Sequence, residues 1–463
     1  MTKYCCKTCH YGLLIVLAIQ LQHQSLAAAA TANNPTVLTS LYQPTTNVDD
    51  FAAKVDQNQG SIQGQLALGT EEGMQQALEI YQNGEGGIQG FSTNAQAAML
   101  ECTTKQQFCP IPTYKSFADY YGAGDYADKW ITAAFESQPT PQFDSNGNVD
   151  FSIVDSSYEG RGEFIKISTL VMNIWMRVIQ AMYQAVEDCD LHSWDQAVAL
   201  YVGSASTSAS TAKPTNKGIH GNMLYALAQE HCSMFRTCNK DGQAKVNAII
   251  LQEFQRGQAR LKSANGQCDT DTTTTANVKS HVDRIVAMMT VPLLQGFLTS
   301  TNDLDWKGDT RDSTKAQVLA YGTSLLPLLH ACDANFAKLV QSNLPYVATS
   351  GTSFEVVKDA VQRSYDCLGI SCQDVGGFVD LVHTGQYLAG AEPCGYEYSK
   401  PEGYEYSKSE GRGSGFVVGV TLAILVISIS FGTFFIRQRR KTAAHNDEAI
   451  EKDIQDLDLP EIA

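Results

Sequence analysis

The sequence lacks the motifs that would assign it to a common class of enzyme. It contains no Gly-x-Ser-x-Gly elbow, no His-Glu-x-x-His, no Walker loop and no Gly-x-Gly-x-x-Gly fingerprint, so hydrolase and nucleotide-dependent chemistry have no motif to support them. It also has no Asn-x-Ser/Thr acceptor in which x is not proline, which argues against a surface shaped by N-linked glycans. We expect a protein that is not an enzyme.

Charge is sparse and mostly negative. Only 18% of the 463 residues are charged, and the formal net charge is −16. Residues 31–415 hold 42 acids and 26 bases, so this part alone carries a net charge of −16. Such a surface repels nucleic acid and anionic lipid and offers carboxylates to cations.

The N-terminal residues 1–30 have the pattern of a secretory signal peptide. Lys3 and Lys7 precede an apolar run from Leu13 to Leu21, and four alanines follow at 27–30. Positive, apolar and small residues in that order are typical of a cleaved signal. We therefore expect residues 31–392 to form an ectodomain.

A membrane span is predicted at residues 416–436. These 21 residues carry no charge and, as a helix, are long enough to cross a bilayer core of about 30 Å. Four basic residues follow between Arg437 and Lys441, so the short tail at 437–463 should face the cytoplasm and the topology is type I. Residues 393–415, in which Gly-Tyr-Glu-Tyr-Ser-Lys occurs twice, read as a flexible stalk.

Ten cysteines lie beyond the signal and predict five disulfides, because an even number is typical of an oxidising compartment. The sequence leaves their connectivity open, although Cys102/Cys109, Cys232/Cys238 and Cys367/Cys372 are close enough to be local staples or neighbours in space. No paired Cys-x-x-Cys or Cys/His spacing indicates zinc in the ectodomain. The ten are Cys102, Cys109, Cys189, Cys232, Cys238, Cys268, Cys332, Cys367, Cys372 and Cys394.

The ectodomain is predicted to be mainly α-helical and stapled by disulfides. Alternating strand patterns are scarce, whereas helical periodicity is frequent. The predicted helices are Glu71–Tyr81, Ala118–Phe135, Gly162–Val186, Trp194–Tyr201, Asn222–Phe235, Ala244–Leu261, Val282–Leu298, Thr314–Val340 and Phe354–Tyr365.

Short similarities hint at an internal duplication. Residues 77–84 and 197–204 are each a helical segment that ends in a tyrosine and a glycine, and 318–322 is a fainter third copy. Repetition of this kind can reflect a duplicated unit or a chance likeness of short helices.

Three polar clusters contain the residues most suited to chemistry, at 120–130, 157–163 and 192–201. Phenolate, carboxylate and imidazole together are the ligands that a hard ferric ion prefers, and a nearby arginine or helix N-terminus can hold an accompanying anion. The alternative is structural: tyrosine and tryptophan pack, and acids stabilise helix starts.

The segments Tyr120–Trp130 and His192–Ser204, with the cysteine-bearing helix Asn222–Phe235, resemble the algal iron-assimilation family, which includes the phytotransferrins. The resemblance covers about residues 45–390. It implies a signal peptide, a helical ectodomain and one C-terminal span. It also implies capture of ferric iron at the cell surface with carbonate as synergistic anion, endocytosis, and release on acidification.

Under this resemblance, Tyr201 and Asp195 are the first candidates for iron ligands. They lie about 9 Å apart along one helix and about 240° apart around it, so they share no face unless a helix end or kink brings them together. Tyr81 is a second candidate phenolate, with Glu79 close by.

Four further candidates come from the polar clusters at 157–163 and 192–201. Tyr158, Glu159 and His192 are predicted as additional ligands, and Arg161, at the start of a long helix, as the partner of the anion.

Two other functions remain open from the sequence. One is an adhesion or receptor ectodomain that recognises a protein or glycan without metal, and the other is a metallohydrolase of the secretory pathway. The acidic tail, with its scattered leucines and isoleucines, offers a possible contact for an endocytic adaptor.

Overall fold

The computed structural model describes residues 38, 41–92, 111–141, 143, 148–154, 158–204, 221–268, 272–348, 351–381 and 384–395. The predicted signal, membrane span and tail, and the stalk from residue 396 onward, lie outside these residues. So do Cys102 and Cys109.

The described chain is mainly α-helical, as predicted, and within the described ranges it has isolated β-bridges but no strand. The helices are α1 Asp49–Leu66, α2 Glu71–Asn83, α3 Pro112–Tyr121, α4 Tyr126–Glu136, α5 Glu159–Ser168, α6 Trp175–Asp188, α7 Leu191–Val202, α8 Leu224–Cys232, α9 Lys245–Ala264, α10 Thr272–Asp305, α11 Asp312–Cys332, α12 Ala334–Gln341, α13 Phe354–Arg363 and α14 Cys372–Val375.

Two predicted helices are each divided in the structure. The helix predicted over 118–135 is two helices, because Gly122 takes a left-handed conformation with φ of 65° and ends α3. The helix predicted over 314–340 breaks at Asp333, which is extended and caps α12 by accepting a hydrogen bond from the backbone of Asn335. Helix α1, by contrast, was not predicted.

The long helix predicted over 162–186 also contains an irregularity. Residues Thr169–Ile174 form a π-helical turn between α5 and α6, and all six side chains are buried. Such turns are rare inside α-helices and are frequent at functional sites.

The core is built mainly from α5, α6, α7, α9, α10 and α11, whose pairs make the most extensive contacts. Within α10, Thr275–Asp305 is the one described segment long and apolar enough to cross a bilayer, and 78% of its most apolar window is buried inside the fold. Packing in the protein core therefore accounts for its composition.

Four disulfides join described cysteines: Cys189–Cys268, Cys232–Cys238, Cys332–Cys367 and Cys372–Cys394. The local pairing of Cys232 with Cys238 is confirmed. Cys367 and Cys372 bond to other partners instead of each other, since Cys332 at the end of α11 and Cys394 lie within reach of them.

The proposed repeat has a local counterpart. Helices α2 and α7 both end shortly after a buried tyrosine, at Gly84 and Gly203, whose φ values are 73° and 64°. The third copy ends inside α11 instead, so a duplication of the whole unit stays a prediction.

Candidate functional site

A cavity of about 390 Å³ opens where α5, α8, α10 and α11 meet. Most of its lining is apolar or neutral, but five lining residues carry groups that titrate or bind ions. These are Glu163 and Lys166 from α5, Glu230 and His231 from α8, and Tyr321 from α11. The π-helical turn contributes Leu170 to the same wall.

Tyr321 contributes a phenol to the lining of this cavity. The residue is buried, and the absence of a side chain on Gly296 of α10 makes room for it, because a Cβ there would overlap the tyrosine ring. The Tyr321 hydroxyl has no hydrogen-bond partner in the described structure. Burial, and then the charges of Glu230 and Glu163, raise its pKa well above the usual value. The phenol is therefore protonated and available to a ligand.

The carboxylates of Glu163 and Glu230 line the same cavity as this phenol, and their charges act on its pKa. Glu163 Oε1 accepts hydrogen bonds from Lys166 Nζ at 2.6 Å and from Gln317 Nε2 at 2.8 Å. Glu230 lines the cavity and is exposed to solvent. Desolvation raises the Glu230 pKa, the charge of Lys166 lowers it and that of Glu163 raises it again.

Among the residues that line the cavity, His231 has incomplete hydrogen bonding. Only 6% of it is exposed, and neither ring nitrogen has a hydrogen-bond partner in the described structure. Burial lowers its pKa to about 4, so the imidazole is neutral at physiological pH. Its ring meets that of Tyr321 edge to face, with centroids 6.5 Å apart. An unsatisfied buried imidazole is costly, and a ligand in the cavity would satisfy it.

The side chains as they stand do not form a closed metal centre. No three His, Cys, Asp or Glu side chains of the described residues are grouped so as to hold a metal ion. A cation in this cavity would need the Tyr321 phenolate as well as the carboxylates, and Glu163 would have to exchange Lys166 for it. The donor set of phenol, two carboxylates and imidazole is nevertheless the one that a hard trivalent ion takes.

Asp195, a predicted ligand, is fully buried and saturated with hydrogen bonds. Its Oδ2 accepts from the backbone N–H and hydroxyl groups of Thr45 and Thr46 at 2.7 to 2.9 Å. Its Oδ1 accepts from the Tyr42 hydroxyl at 2.9 Å and from Gln258 Nε2 at 3.1 Å. These bonds anchor the segment before α1 to α7.

The two predicted phenolates also have partners in the core. The Tyr201 hydroxyl donates to Asn247 Oδ1 at 2.5 Å. The Tyr81 hydroxyl donates to Asp128 Oδ1 and accepts from Asn173 Nδ2 of the π-helical turn, the latter at 3.1 Å. Burial raises both pKa values well above the usual range, and for Tyr81 the charge of Asp128 adds to the effect.

Arg161, the predicted anion partner, is buried and donates through Nη1 to the carbonyls of Ala134 and Phe135, at 2.9 and 3.1 Å. It thus bonds to the last turn of α4, where a positive charge is favourable. Its guanidinium lies 5.0 Å from the centre of the half-buried Tyr158 ring.

The remaining predicted ligands are on the surface. Glu79, Glu159 and His192 are exposed. His192 Nδ1 is 3.2 Å from Thr46 Oγ1, which also bonds to Asp195. The structure therefore links His192 with Asp195 and Tyr158 with Arg161, but it does not gather the predicted ligands into one site.

Sequence reasoning did not single out any of the cavity residues as a ligand, although Glu163 belongs to the polar cluster at 157–163 and two other signals were present. Tyr321 ends the third copy of the tyrosine and glycine repeat, and Glu230 with His231 lies in the cysteine-bearing helix of the family resemblance. An isolated tyrosine in an apolar helix reads as a core residue, and only tertiary packing adds Glu163 to it.

The comparisons with known proteins found no relative. No protein-family model, no curated protein and no solved structure matches this chain. The assignment of function therefore depends on the geometry and chemistry of the chain itself.

Proposed function

We propose that the protein captures ferric iron at the cell surface, in the cavity between α5, α8, α10 and α11, for high-affinity uptake with carbonate as accompanying anion. The observation that carries this proposal is that the unbonded Tyr321 phenol lines one cavity with the carboxylates of Glu163 and Glu230. A tyrosinate and the carboxylates of Glu163 and Glu230 supply three negative charges, which match a trivalent ion. The resemblance to the algal iron-assimilation family belongs to the same proposal.

Binding in this cavity would replace protons by metal. The raised pKa of Tyr321 means that iron must displace the phenolic proton. His231, already neutral, offers a nitrogen without losing a proton. These four donors leave coordination positions for the anion or for water.

Acid would reverse the binding, since protons and iron compete for the same lone pairs. Desolvation raises the pKa of Glu230. The charge of Lys166 lowers this pKa and the charge of Glu163 raises it, and the net shift is upward. Glu230 therefore takes up a proton at a higher pH than a free glutamate. This suits release in an acidified vesicle after endocytosis.

The proposed location is the plasma membrane, with type I topology. Four disulfides among the described cysteines fit folding in the secretory pathway. The predicted signal at 1–30 and span at 416–436 supply the route and the anchor.

Metal analysis of the full-length protein in detergent tests this function. We expect one ferric ion per chain when bicarbonate is present and much less when it is absent. The double variant Glu163→Gln and Glu230→Gln should lose this iron. Glu79→Gln with Glu159→Gln, which removes two exposed glutamates outside the cavity, should retain it. Equal iron binding by the two double variants, or no iron in the native protein, would refute the proposal and leave a metal-free receptor as the better account.

A further inference from the structure

Lys166 holds a position in the cavity that a bound cation would also need. Its Nζ lies 2.6 Å from Glu163 Oε1, the oxygen to which Gln317 Nε2 also donates. The backbone carbonyl of Lys166 accepts from Gln59 Nε2 at 3.1 Å, which ties this turn of α5 to α1. The lysine is about one third exposed, at 37%, so its ammonium can leave the carboxylate for solvent without unfolding the helix.

The same ammonium acts on the carboxylate across the cavity. Of the two charges that act on the pKa of Glu230, that of Lys166 has the larger effect. It lowers this pKa, whereas the charge of Glu163 raises it. One positive charge therefore serves two carboxylates that belong to different helices, α5 and α8. Without it, the two negative charges would repel each other with less compensation.

We propose that Lys166 is a tethered competitor for the cation site, and that the accompanying anion promotes metal binding by accepting the ammonium once the metal has displaced it. This inference rests on the proposed function and adds a role for the anion. A metal ion that binds Glu163 breaks the Lys166 ion pair, and the displaced ammonium is then repelled by the metal. A carbonate that contacts both the metal and Lys166 removes that repulsion.

The alternative role for Lys166 is a fixed holder of the anion, with no competition. The two roles predict opposite effects of removing the charge when bicarbonate is absent. A competitor's removal strengthens cation binding, whereas a holder's removal weakens it or leaves it unchanged.

The experiment compares Lys166→Met with Lys315→Met in the full-length protein. Lys315 makes a similar pair with Asp312, three residues away at 3.1 Å, and its exposure of 31% is close to that of Lys166. It does not line the cavity, so the control removes the same charge elsewhere. The probe is terbium(III), a hard trivalent ion whose luminescence is excited through a nearby tyrosine, titrated with and without bicarbonate.

We expect Lys166→Met to bind terbium roughly two- to fivefold more tightly than the native protein without bicarbonate, the range for loss of a partly exposed charged pair. Bicarbonate should strengthen binding to the native protein and to Lys315→Met, and should have little effect on Lys166→Met. Lys166→Gln, a polar replacement, should behave like the methionine variant. Agreement between the two variants would show that the change in binding does not come from a folding defect of Lys166→Met.

Both Lys166 variants binding terbium more weakly than native protein with bicarbonate, and no more tightly without it, would overturn the competitor and show a holder of the anion. Unchanged binding in both buffers would remove Lys166 from the site. In both cases the proposed function stands if native protein still binds ferric iron with Glu163 and Glu230. If neither ion binds to native or variant protein, the cation site is wrong and the competitor fails with it.

Discussion

Replacing Asp195 by asparagine separates a structural role of this buried group from the ligand role that the sequence indicated. Four donors from Thr45 and Thr46 point at Oδ2, and Tyr42 and Gln258 donate to Oδ1. An asparagine of the same shape can keep its oxygen toward the four donors. Its NH₂ group then faces Tyr42, whose hydroxyl can turn and accept, and the Gln258 amide nitrogen, which cannot.

The expected cost follows from the charge and from the lost bond. Hydrogen bonds to a charged group are worth about 1.5–3 kcal/mol, against about 1 kcal/mol for neutral ones. The substitution weakens the four bonds from Thr45 and Thr46 and removes the bond from Gln258, but the neutral amide costs less to desolvate than the carboxylate. The net loss of stability from these effects is about 3 kcal/mol. We therefore expect Asp195→Asn to lower the free energy of unfolding by about this amount and to leave iron affinity unchanged.

Urea denaturation followed by far-UV circular dichroism measures the first quantity, and an iron titration under native conditions measures the second. Asp119→Asn, in an exposed ion pair with Lys115, is the control and should change stability by less than about 1 kcal/mol. A variant of Asp195 with native stability but lost iron binding would refute the reasoning and restore Asp195 as a ligand.

Two further predictions concern stability. The pKa of His231 falls from 6.5 to about 4 on folding, so protons favour the unfolded chain, and the free energy of unfolding should drop by about 3 kcal/mol as the pH falls from 6.5 toward 4. His231→Phe should flatten the pH dependence of urea unfolding over that range, and parallel curves would contradict this. Replacing Cys189 and Cys268, 79 residues apart, by serine should destabilise by about 2 kcal/mol more than replacing Cys232 and Cys238, six apart, because the longer loop gains more chain entropy. Equal losses in urea unfolding would contradict the loop-length argument.

Helical periodicity predicted most of the fold, because an apolar stripe is a local property of the chain. The limits of the helices depended on single residues whose effect is less visible. Gly122 could have been read as a helix end, whereas nothing in the sequence distinguishes Asp333 from an acid inside a helix. The π-helical turn at Thr169–Ile174 arises within a continuous apolar run and leaves no pattern.

The sequence predicted the types of side chain in the candidate site but not the particular residues. The sequence indicated tyrosine, carboxylate and histidine chemistry, but it gave preference to residues in conspicuous clusters. Asp195 is engaged by donors about 150 residues away, and such a partner is invisible in its own neighbourhood. Tyr321 and Glu163, in turn, come together only because α11 packs on α5.

The most direct test of the central claim is the visible absorption of the iron-loaded, full-length protein with bicarbonate. A tyrosinate bound to ferric iron gives a charge-transfer band, and we expect this band in the native protein and its loss in Tyr321→Phe. Tyr201→Phe, which changes another buried tyrosine whose hydroxyl is bonded to Asn247, should keep it. A band that survives in Tyr321→Phe and disappears in Tyr201→Phe would contradict the cavity as the iron site.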